Sequence, residues 1–294
     1  MESIEEYRIK ILKDLMKTKT MSTAWALWAP TVNSLTESLT NTDKVFDLGD
    51  HLSKIFLSTS TEGRGQDVLS AAGHAWEGLV TLYLNMVLSG TNGVAMKQKK
   101  SLVPQCILDS TSINYHSDPT NTESDVVVVI FPDGFQFPEG GYTIQTMSAA
   151  ISPILNRFEL GVVQCKTNWN DNSQIPMLWD LVYRSKGFEG NHISVGQNGH
   201  YFADLKKFTY AFVTVPTQKA PFKPTDMAVK RVRNLSGGNY WGRETEKGIA
   251  FGVKQIFSAN FRSAFAGKSI RNSLSDAIFA KAGAFSSDLA LDKA

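Results

Sequence analysis

The sequence predicts a mixed α/β fold, in which a central β-sheet is flanked by helices and carries helical additions at both ends. Three observations predict it. Apolar residues have mostly helical spacing before about residue 100, three apolar segments of strand length follow, and helical spacing returns after about residue 226. The middle of the chain has the order strand, strand, helix, strand, which favours a mixed sheet.

The clearest helix covers 67–88, where apolar residues recur at helical spacing until the glycines and asparagine of 89–93 end it. A second helix is predicted over 174–184, with Pro176 in its first turn, where proline is tolerated. After the strands, helical segments are expected near 226–234, 245–265 and 270–281.

The three predicted strands are rich in β-branched and aromatic residues. They cover 125–131, 159–166 and 208–215. We predict a single domain over 1–294, consisting of a helical part (1–66), a core (67–216) and a helical, basic part (217–294).

Composition is typical of a globular protein, with 42% apolar and 20% charged residues. We expect no membrane span, because no apolar run approaches the length of about 18 residues that a span needs. The charged N-terminus predicts no secretory signal. Cys106 and Cys165 are too few for a disulfide scaffold and favour reduced thiols in a cytoplasmic protein.

The formal net charge of +2 and the pI near 8.4 are weakly basic. Lysine and arginine are concentrated in 206–271, where acidic residues are few. Such a region is suited to binding phosphates, or it is a solvated face. Composition leaves both interpretations open.

The ends of two predicted strands bring reactive groups together. If 125–131 and 159–166 pair antiparallel, Asp125 lies beside Gln164, Cys165 and Lys166. Gln164 and Lys166 then share one face, while Cys165 points to the other. A carboxylate, an amide oxygen and an ammonium group would converge at one edge of the sheet.

This set suits hydrolysis of a phosphodiester by a divalent cation, which neutralises the phosphate and lowers the pKa of a bound water. Mg²⁺ (or Mn²⁺) prefers oxygen ligands and is often held by one or two carboxylates. We expect Asp125 to be the main ligand, assisted by the Gln164 side-chain oxygen and the Cys165 backbone carbonyl. Lys166 would orient the attacking water or stabilise the developing charge.

Ser124-Asp125 followed by four valines, together with Val163-Gln164-Cys165-Lys166, resembles the PD-(D/E)XK nuclease pattern. In that family an Asp opens one strand and a (Glu/Gln)-x-Lys closes the next. The QxK variant looks like that of Mrr-type nucleases and of some type II restriction enzymes. The resemblance covers about 70–215 and implies a restriction-endonuclease-like catalytic core that cleaves double-stranded DNA.

Two features depart from the family pattern. Asp125 and Gln164 are 39 residues apart, which is longer than usual, so 131–158 is expected to be an insertion or an extra hairpin. Gln164 stands where Glu is commoner, which removes a negative charge and should weaken metal affinity.

Three other acidic residues compete for a role in the metal site. Asp133 supplies a literal Pro-Asp, but Pro-Asp-Gly is also a turn sequence, so we favour Asp125. The resemblance implies that Glu77, on the helix before the sheet, is a further catalytic residue and metal ligand. The alternative is an ordinary helix glutamate that faces water or a nearby base. Glu123 is better explained as a solvated loop residue.

Two polar segments are candidates for DNA contact. The first segment is the loop after Lys166, where the candidate residues are Asn168, Asn170, Asn172 and Gln174. The second lies in the basic part, where the candidate residues are Lys230, Arg231, Arg233, Asn239, Tyr240 and Arg243. The alternatives are a polar turn that caps the next helix and a glycine-rich turn anchored by a buried Trp241.

These features predict a type II restriction enzyme, a site-specific DNA endonuclease that acts as a homodimer, because two strands need two active sites. One alternative is an Mrr-like or antiphage-defence nuclease that acts on modified or foreign DNA, which a small-ligand pocket in the second half would favour. The other is a noncatalytic DNA-binding protein. No nucleotide cofactor is expected, since the chain has neither a P-loop nor GxGxxG.

Overall fold

A six-stranded mixed β-sheet lies at the centre of the computed structural model, which describes residues 3–58, 66–98, 102–120, 124–139, 141–169, 173–188, 192–217 and 221–281. In spatial order its strands are β1 (Gly93–Lys97), β4 (Val126–Ile130), β5 (Glu159–Lys166), β8 (Lys207–Thr214), β9 (Asn239–Trp241) and β10 (Phe251–Gly252). β1, β4 and β5 are successively antiparallel, whereas β8, β9 and β10 run parallel to β5. The three predicted strands are confirmed as β4, β5 and β8, and the antiparallel pairing of the first two is confirmed as well.

Helices cover both faces of this sheet. Those of the described residues are α1 (Ile4–Met16), α2 (Lys19–Thr36), α3 (Thr42–Asp47), α4 (Leu52–Leu57), α5 (Gln66–Val87), α6 (Gln105–Thr111), α7 (Ile144–Ile151), α8 (Gln174–Arg184), α9 (Met227–Val232), α10 (Ile256–Ala259) and α11 (Ile270–Lys281). α2, α4 and α5 share a hydrophobic core with alternate residues of β4 and β5, and α6, α7 and α8 share another with the intervening residues. All five residues of β4 are therefore buried, which explains why its sequence is an unbroken apolar run.

A second, smaller sheet was not predicted. Its strands, in spatial order, are β3 (Asp118–Thr120), β2 (Ile113–Tyr115), β7 (Ile193–Val195) and β6 (Gly187–Phe188). Each has only two or three residues, too few for an alternating pattern to identify. None of the described helices is long and apolar enough to cross a membrane.

Two expectations about the connections are wrong, and one of two alternatives is excluded in a third. The segment 131–158, expected to be an insertion or an extra hairpin, contains α7 and a 3₁₀ turn, so the hairpin is excluded. Residues 245–265 do not form one helix, because β10 and short helical turns interrupt them and Gly248 adopts a positive φ of 81°. The central sheet also continues beyond residue 216, since β9 and β10 extend it into the part predicted to be helical.

Gly237 explains how β9 joins the sheet. A Cβ atom at this position would lie 2.6 Å from the backbone carbon of Tyr210 on β8. The Gly237 N–H donates to the Tyr210 carbonyl at 2.7 Å. The close approach that Gly237 permits is therefore to the neighbouring strand, as in a structural glycine-rich turn.

Candidate active site

Asp125 lies at the end of the ladder between β4 and β5. The last pair of this ladder is Val126 with Val163, so the backbone of Cys165 extends beyond it. One carboxylate oxygen of Asp125, Oδ2, accepts a hydrogen bond from the Cys165 N–H at 2.7 Å. The carboxylate therefore takes the place of a strand partner and is fixed against the end of β5.

Lys166, the last residue of β5, lies beside this carboxylate. Its Nζ is 3.9 Å from Oδ2 of Asp125, and both side chains are largely but not fully buried. The Lys166 carbonyl accepts hydrogen bonds from the Val215 N–H and the Thr214 hydroxyl, each at 3.1 Å. The fold thus brings together the acid and the base that the sequence placed on different strands.

Gln164 is in the interior, with no exposed surface. Its Oε1 accepts a hydrogen bond from the Tyr210 hydroxyl at 2.9 Å. Cys165 points to the other sheet face, where it packs in the core with Trp76 and Leu79 of α5. The predicted alternation of side chains is correct, but in this structure the Gln164 oxygen is engaged by Tyr210 within the protein.

Four charged groups influence the pKa of the Cys165 thiol. Burial raises the pKa of this thiol well above its usual value, and the carboxylates of Asp125 and Glu77 raise it further. The ammonium groups of Lys166 and Lys97 act in the opposite direction. Glu77 comes from α5 but lies near the same edge as Asp125, because it pairs with Lys97 and the next residue, Gln98, donates its N–H to the Asp125 carbonyl at 2.9 Å.

Glu77 is paired with a lysine that the sequence analysis missed. Its Oε2 is 2.8 Å from Nζ of Lys97 and 3.1 Å from Nδ1 of His74. Lys97 ends β1 and lies opposite Val126 in the β1–β4 ladder. The only signal for it was a lysine closing the short apolar segment 93–97, which was not predicted as a strand.

The rival carboxylate Asp133 lies at the opposite end of β4. It is exposed in a turn, and its Oδ1 accepts a hydrogen bond from the Asn92 side chain at 2.5 Å. The five residues of β4 separate the two ends by roughly 16 Å, at about 3.3 Å per residue. Asp133 is therefore not part of the cluster around Asp125, and Glu123 lies outside the described residues.

The residues predicted to contact DNA differ in exposure. Exposed side chains are those of Asn168, Gln174, Lys230, Arg233 and Arg243, and Arg231 is half-buried. Asn170 and Asn172 lie outside the described residues. Asn239 is 6% exposed.

The prediction for Tyr240 is corrected. It is 2% exposed and lies in the core on the α5 side of the sheet. Burial raises the pKa of its hydroxyl to about 12, against the opposing effect of a hydrogen bond with Asn260. DNA could not contact the Tyr240 side chain, because this residue of β9 is packed in the hydrophobic core.

Among the described residues, no three His, Cys, Asp or Glu side chains lie together as a metal-binding group. The candidate site instead offers two carboxylates, from Asp125 and Glu77, with amide and backbone oxygens nearby. The chain matches no protein-family model, and comparison with curated proteins found no match.

Proposed function

We propose that this chain is a Mg²⁺-dependent endonuclease that hydrolyses phosphodiester bonds of double-stranded DNA at specific sites, as a type II restriction enzyme of the PD-(D/E)XK type does. One observation carries the proposal. Asp125, which precedes β4, and Lys166, which ends the antiparallel β5, lie 3.9 Å apart at one sheet edge. The PD-(D/E)XK resemblance requires an acid and a lysine at these two strand ends.

The residues at this edge fit Mg²⁺ or Mn²⁺, which prefer oxygen ligands and few carboxylates. Asp125 would hold the ion, with Glu77 as the second carboxylate. The Cys165 carbonyl would be a further ligand, because the N–H and C=O of one strand residue point to the same side and the N–H of Cys165 meets Asp125. Gln164 would contribute its Oε1, an oxygen with two lone pairs that also accepts the hydrogen bond from Tyr210. When bound, the cation neutralises the scissile phosphate and lowers the pKa of its water ligand.

Lys166 contributes positive charge without holding the ion. Its ammonium group, 3.9 Å from the Asp125 carboxylate, is placed to orient a water molecule or to stabilise charge that develops on the phosphate. Its backbone is fixed by two hydrogen bonds to the end of β8 and the residue that follows it. The ammonium group lies at the end of a flexible side chain, so it can turn from Asp125 toward the phosphate.

Lys97 balances the charge of the site before DNA arrives. With it, the cluster has two carboxylates and two ammonium groups, and Lys97 is in direct contact with Glu77 at 2.8 Å. A divalent cation therefore meets a site of no net charge. DNA phosphates would draw the lysines away and leave the carboxylates to the metal, so metal and DNA should bind cooperatively.

The proposed DNA surface follows from the exposed polar residues. Asn168 and Gln174 flank the loop that leaves β5 directly after the Lys166 edge, and Lys230, Arg233 and Arg243 lie on or after α9. Cleavage of both strands needs two active sites, so a two-fold homodimer is part of the proposal.

A second candidate, an Mrr-like or antiphage-defence nuclease acting on modified or foreign DNA, has one observation in its favour. A cavity lies in the second half of the chain, between α9 and the segment that joins β9 and β10. Such a nuclease needs a place to sense a small ligand or a modified base. A restriction enzyme that reads an unmodified duplex does not.

The test is incubation of the purified chain with a long duplex of known sequence, unmodified or methylated, with Mg²⁺ or with EDTA, beside the Lys166→Ala variant. Discrete fragments that need both Mg²⁺ and Lys166 support the site-specific endonuclease. A smear, or cleavage of methylated DNA only, supports the second candidate. DNA binding that needs no metal, with no cleavage of either DNA, would overturn both in favour of a noncatalytic DNA-binding protein.

A further inference from the structure

The cavity beside β9 has a volume of about 380 Å³. Its lining includes Val229 of α9, Arg233 just after α9, Asn239 of β9, and Lys247, Ile249 and Phe251. Val229 and Ile249 are buried and give it an apolar floor. Phe251 of β10 is 55% exposed, so one side of its ring is available at the cavity. An exposed aromatic ring next to an apolar floor suits a flat, aromatic ligand.

Asn239 adds a polar group to the wall. Its side-chain nitrogen donates to the Ile249 carbonyl at 3.1 Å, which fixes the amide. Its side-chain oxygen is buried and has no hydrogen-bond partner among the residues that the structure describes. A buried carbonyl oxygen without a donor costs free energy, and a ligand N–H that reaches it would remove that cost.

The rim is positively charged. Arg233 and Lys247 line the cavity together with one acid, Glu246. Nη2 of Arg233 donates to the Pro224 carbonyl at 2.7 Å, so the guanidinium group is held in place. Two cations against one carboxylate favour an anionic ligand group, and a phosphate matches the donors that arginine and lysine present.

We propose that this cavity binds one nucleotide. The base lies against Phe251 and the apolar floor, and one of its N–H groups reaches Asn239, since each of the four bases carries such a donor. The phosphate lies at Arg233 and Lys247. This inference goes beyond the proposed function, because binding requires neither a metal nor cleavage.

The nucleotide has two possible sources, a free molecule or a residue turned out of DNA. Asn239 pairs with Phe212, which pairs with Gln164, and paired residues point to one sheet face. At about 4.8 Å per strand, the backbones of Asn239 and Gln164 are roughly 10 Å apart. DNA held at the Lys166 edge would therefore pass near the cavity.

Both sources can be tested with the full chain in EDTA, where no metal-dependent cleavage occurs. Each of the four deoxynucleoside 5′-monophosphates is titrated calorimetrically. Duplex DNA carrying 2-aminopurine at successive positions is monitored by fluorescence, which rises when the base leaves the stack. Phe251→Ala and Lys247→Ala should each weaken the response by about tenfold or more, since aromatic stacking and phosphate contact are lost.

Matched controls remove an aromatic ring and a lysine elsewhere. Tyr115→Ala on β2 removes a ring that is 45% exposed, and Lys10→Ala removes a lysine of α1; neither should change the response. If the wild type binds mononucleotides and the cavity variants bind them more weakly, the ligand is a free nucleotide. If the fluorescence of the duplex rises with the wild type and not with the cavity variants, the ligand is a nucleotide turned out of DNA. The proposal is overturned if neither signal appears, or if both cavity variants respond like the wild type. Loss of cleavage alone would count against the proposed function and not against this site.

Discussion

Asp125 and Cys165, which are 40 residues apart in the chain, are joined by a hydrogen bond of 2.7 Å from the Cys165 N–H to the Asp125 carboxylate. The bond closes the ladder between β4 and β5 at the point where the backbone of β4 ends. The same carboxylate is the one proposed to hold a divalent cation. It therefore has a structural role and a proposed catalytic role, and the two depend on different properties of the side chain. The structural role needs an acceptor oxygen, whereas metal binding needs the negative charge.

Asp125→Asn separates these roles. Asparagine keeps an oxygen that can accept from Cys165, so the thermal unfolding midpoint should remain close to that of the wild type. It lacks the charge, so Mg²⁺-dependent cleavage should fall by about 100-fold or more. The measurement is the initial rate of DNA cleavage beside a thermal unfolding curve. Asp133→Asn, at the other end of β4, should leave the rate unchanged, and the reverse pattern would assign the metal to Asp133.

Lys97→Met tests the charge balance of the site. Without this lysine, Glu77 has lost its 2.8 Å ion pair and the cluster has a net negative charge, so Ca²⁺ should bind to the DNA-free protein roughly tenfold more tightly. Lys97→Arg, which keeps the charge, should bind Ca²⁺ as the wild type does. Isothermal titration in the absence of DNA gives both values. Equal affinity of all three proteins would show that Lys97 does not govern access of metal to the site.

The strands that form the candidate site could be predicted because the sequence pattern of each strand lies within a few neighbouring residues. The valines of 126–129 and the alternation through Gln164, Cys165 and Lys166 are visible in a window of a few residues, and the pairing of Asp125 with Lys166 followed from them. Sequence reasoning missed Lys97, and it placed Glu77 near Asp125 only through the family resemblance. Lys97 ends β1, which lacks the β-branched run that identified β4, and the position of Glu77 depends on how α5 packs across the sheet.

The interior position of Gln164 and Tyr240 also depends on tertiary packing. A glutamine is usually exposed, and its burial here is supported by the neighbouring β8, which supplies the hydroxyl of Tyr210. Tyr240 was predicted to contact DNA because it is an aromatic residue near Arg243, in a segment that follows the basic run 230–233. In the structure Tyr240 of β9 lies opposite Val213 of β8, and both side chains face the core.

Glu159→Gln tests a charge interaction that secures the start of β5. Burial by itself raises the pKa of Glu159, but hydrogen bonds from Ser263 at 2.6 Å and Lys206 at 2.9 Å, with the lysine charges, outweigh it and lower the pKa below its usual value. The resulting stability is present above the unfolded pKa near 4.5 and is lost as the pH falls through the folded value. In urea titrations the wild type should exceed the variant in unfolding free energy at pH 7, and the difference should shrink below about pH 4.5. The exposed Glu244→Gln is the matched control and should change the unfolding free energy only slightly at pH 7. A Glu159→Gln difference that persists undiminished in acid would contradict this account.

Arg8→Met should destabilise the fold more than any of the other substitutions. Arg8 has no exposed surface, pairs with Glu5 and donates through Nη2 to the carbonyls of Thr91 at 2.9 Å and Gly93 at 2.6 Å. Its removal leaves the Glu5 carboxylate without its cation next to the start of β1, a change that costs about 3–5 kcal/mol in buried pairs. Urea unfolding at pH 7 measures the loss, and Lys10→Ala on the exposed face of α1 should cost less than about 1 kcal/mol. The double variant Glu5→Leu/Arg8→Met should recover part of the loss, because no carboxylate is then stranded. If the double variant is as unstable as the sum of the two single variants, the damage lies in packing and not in the unpaired charge.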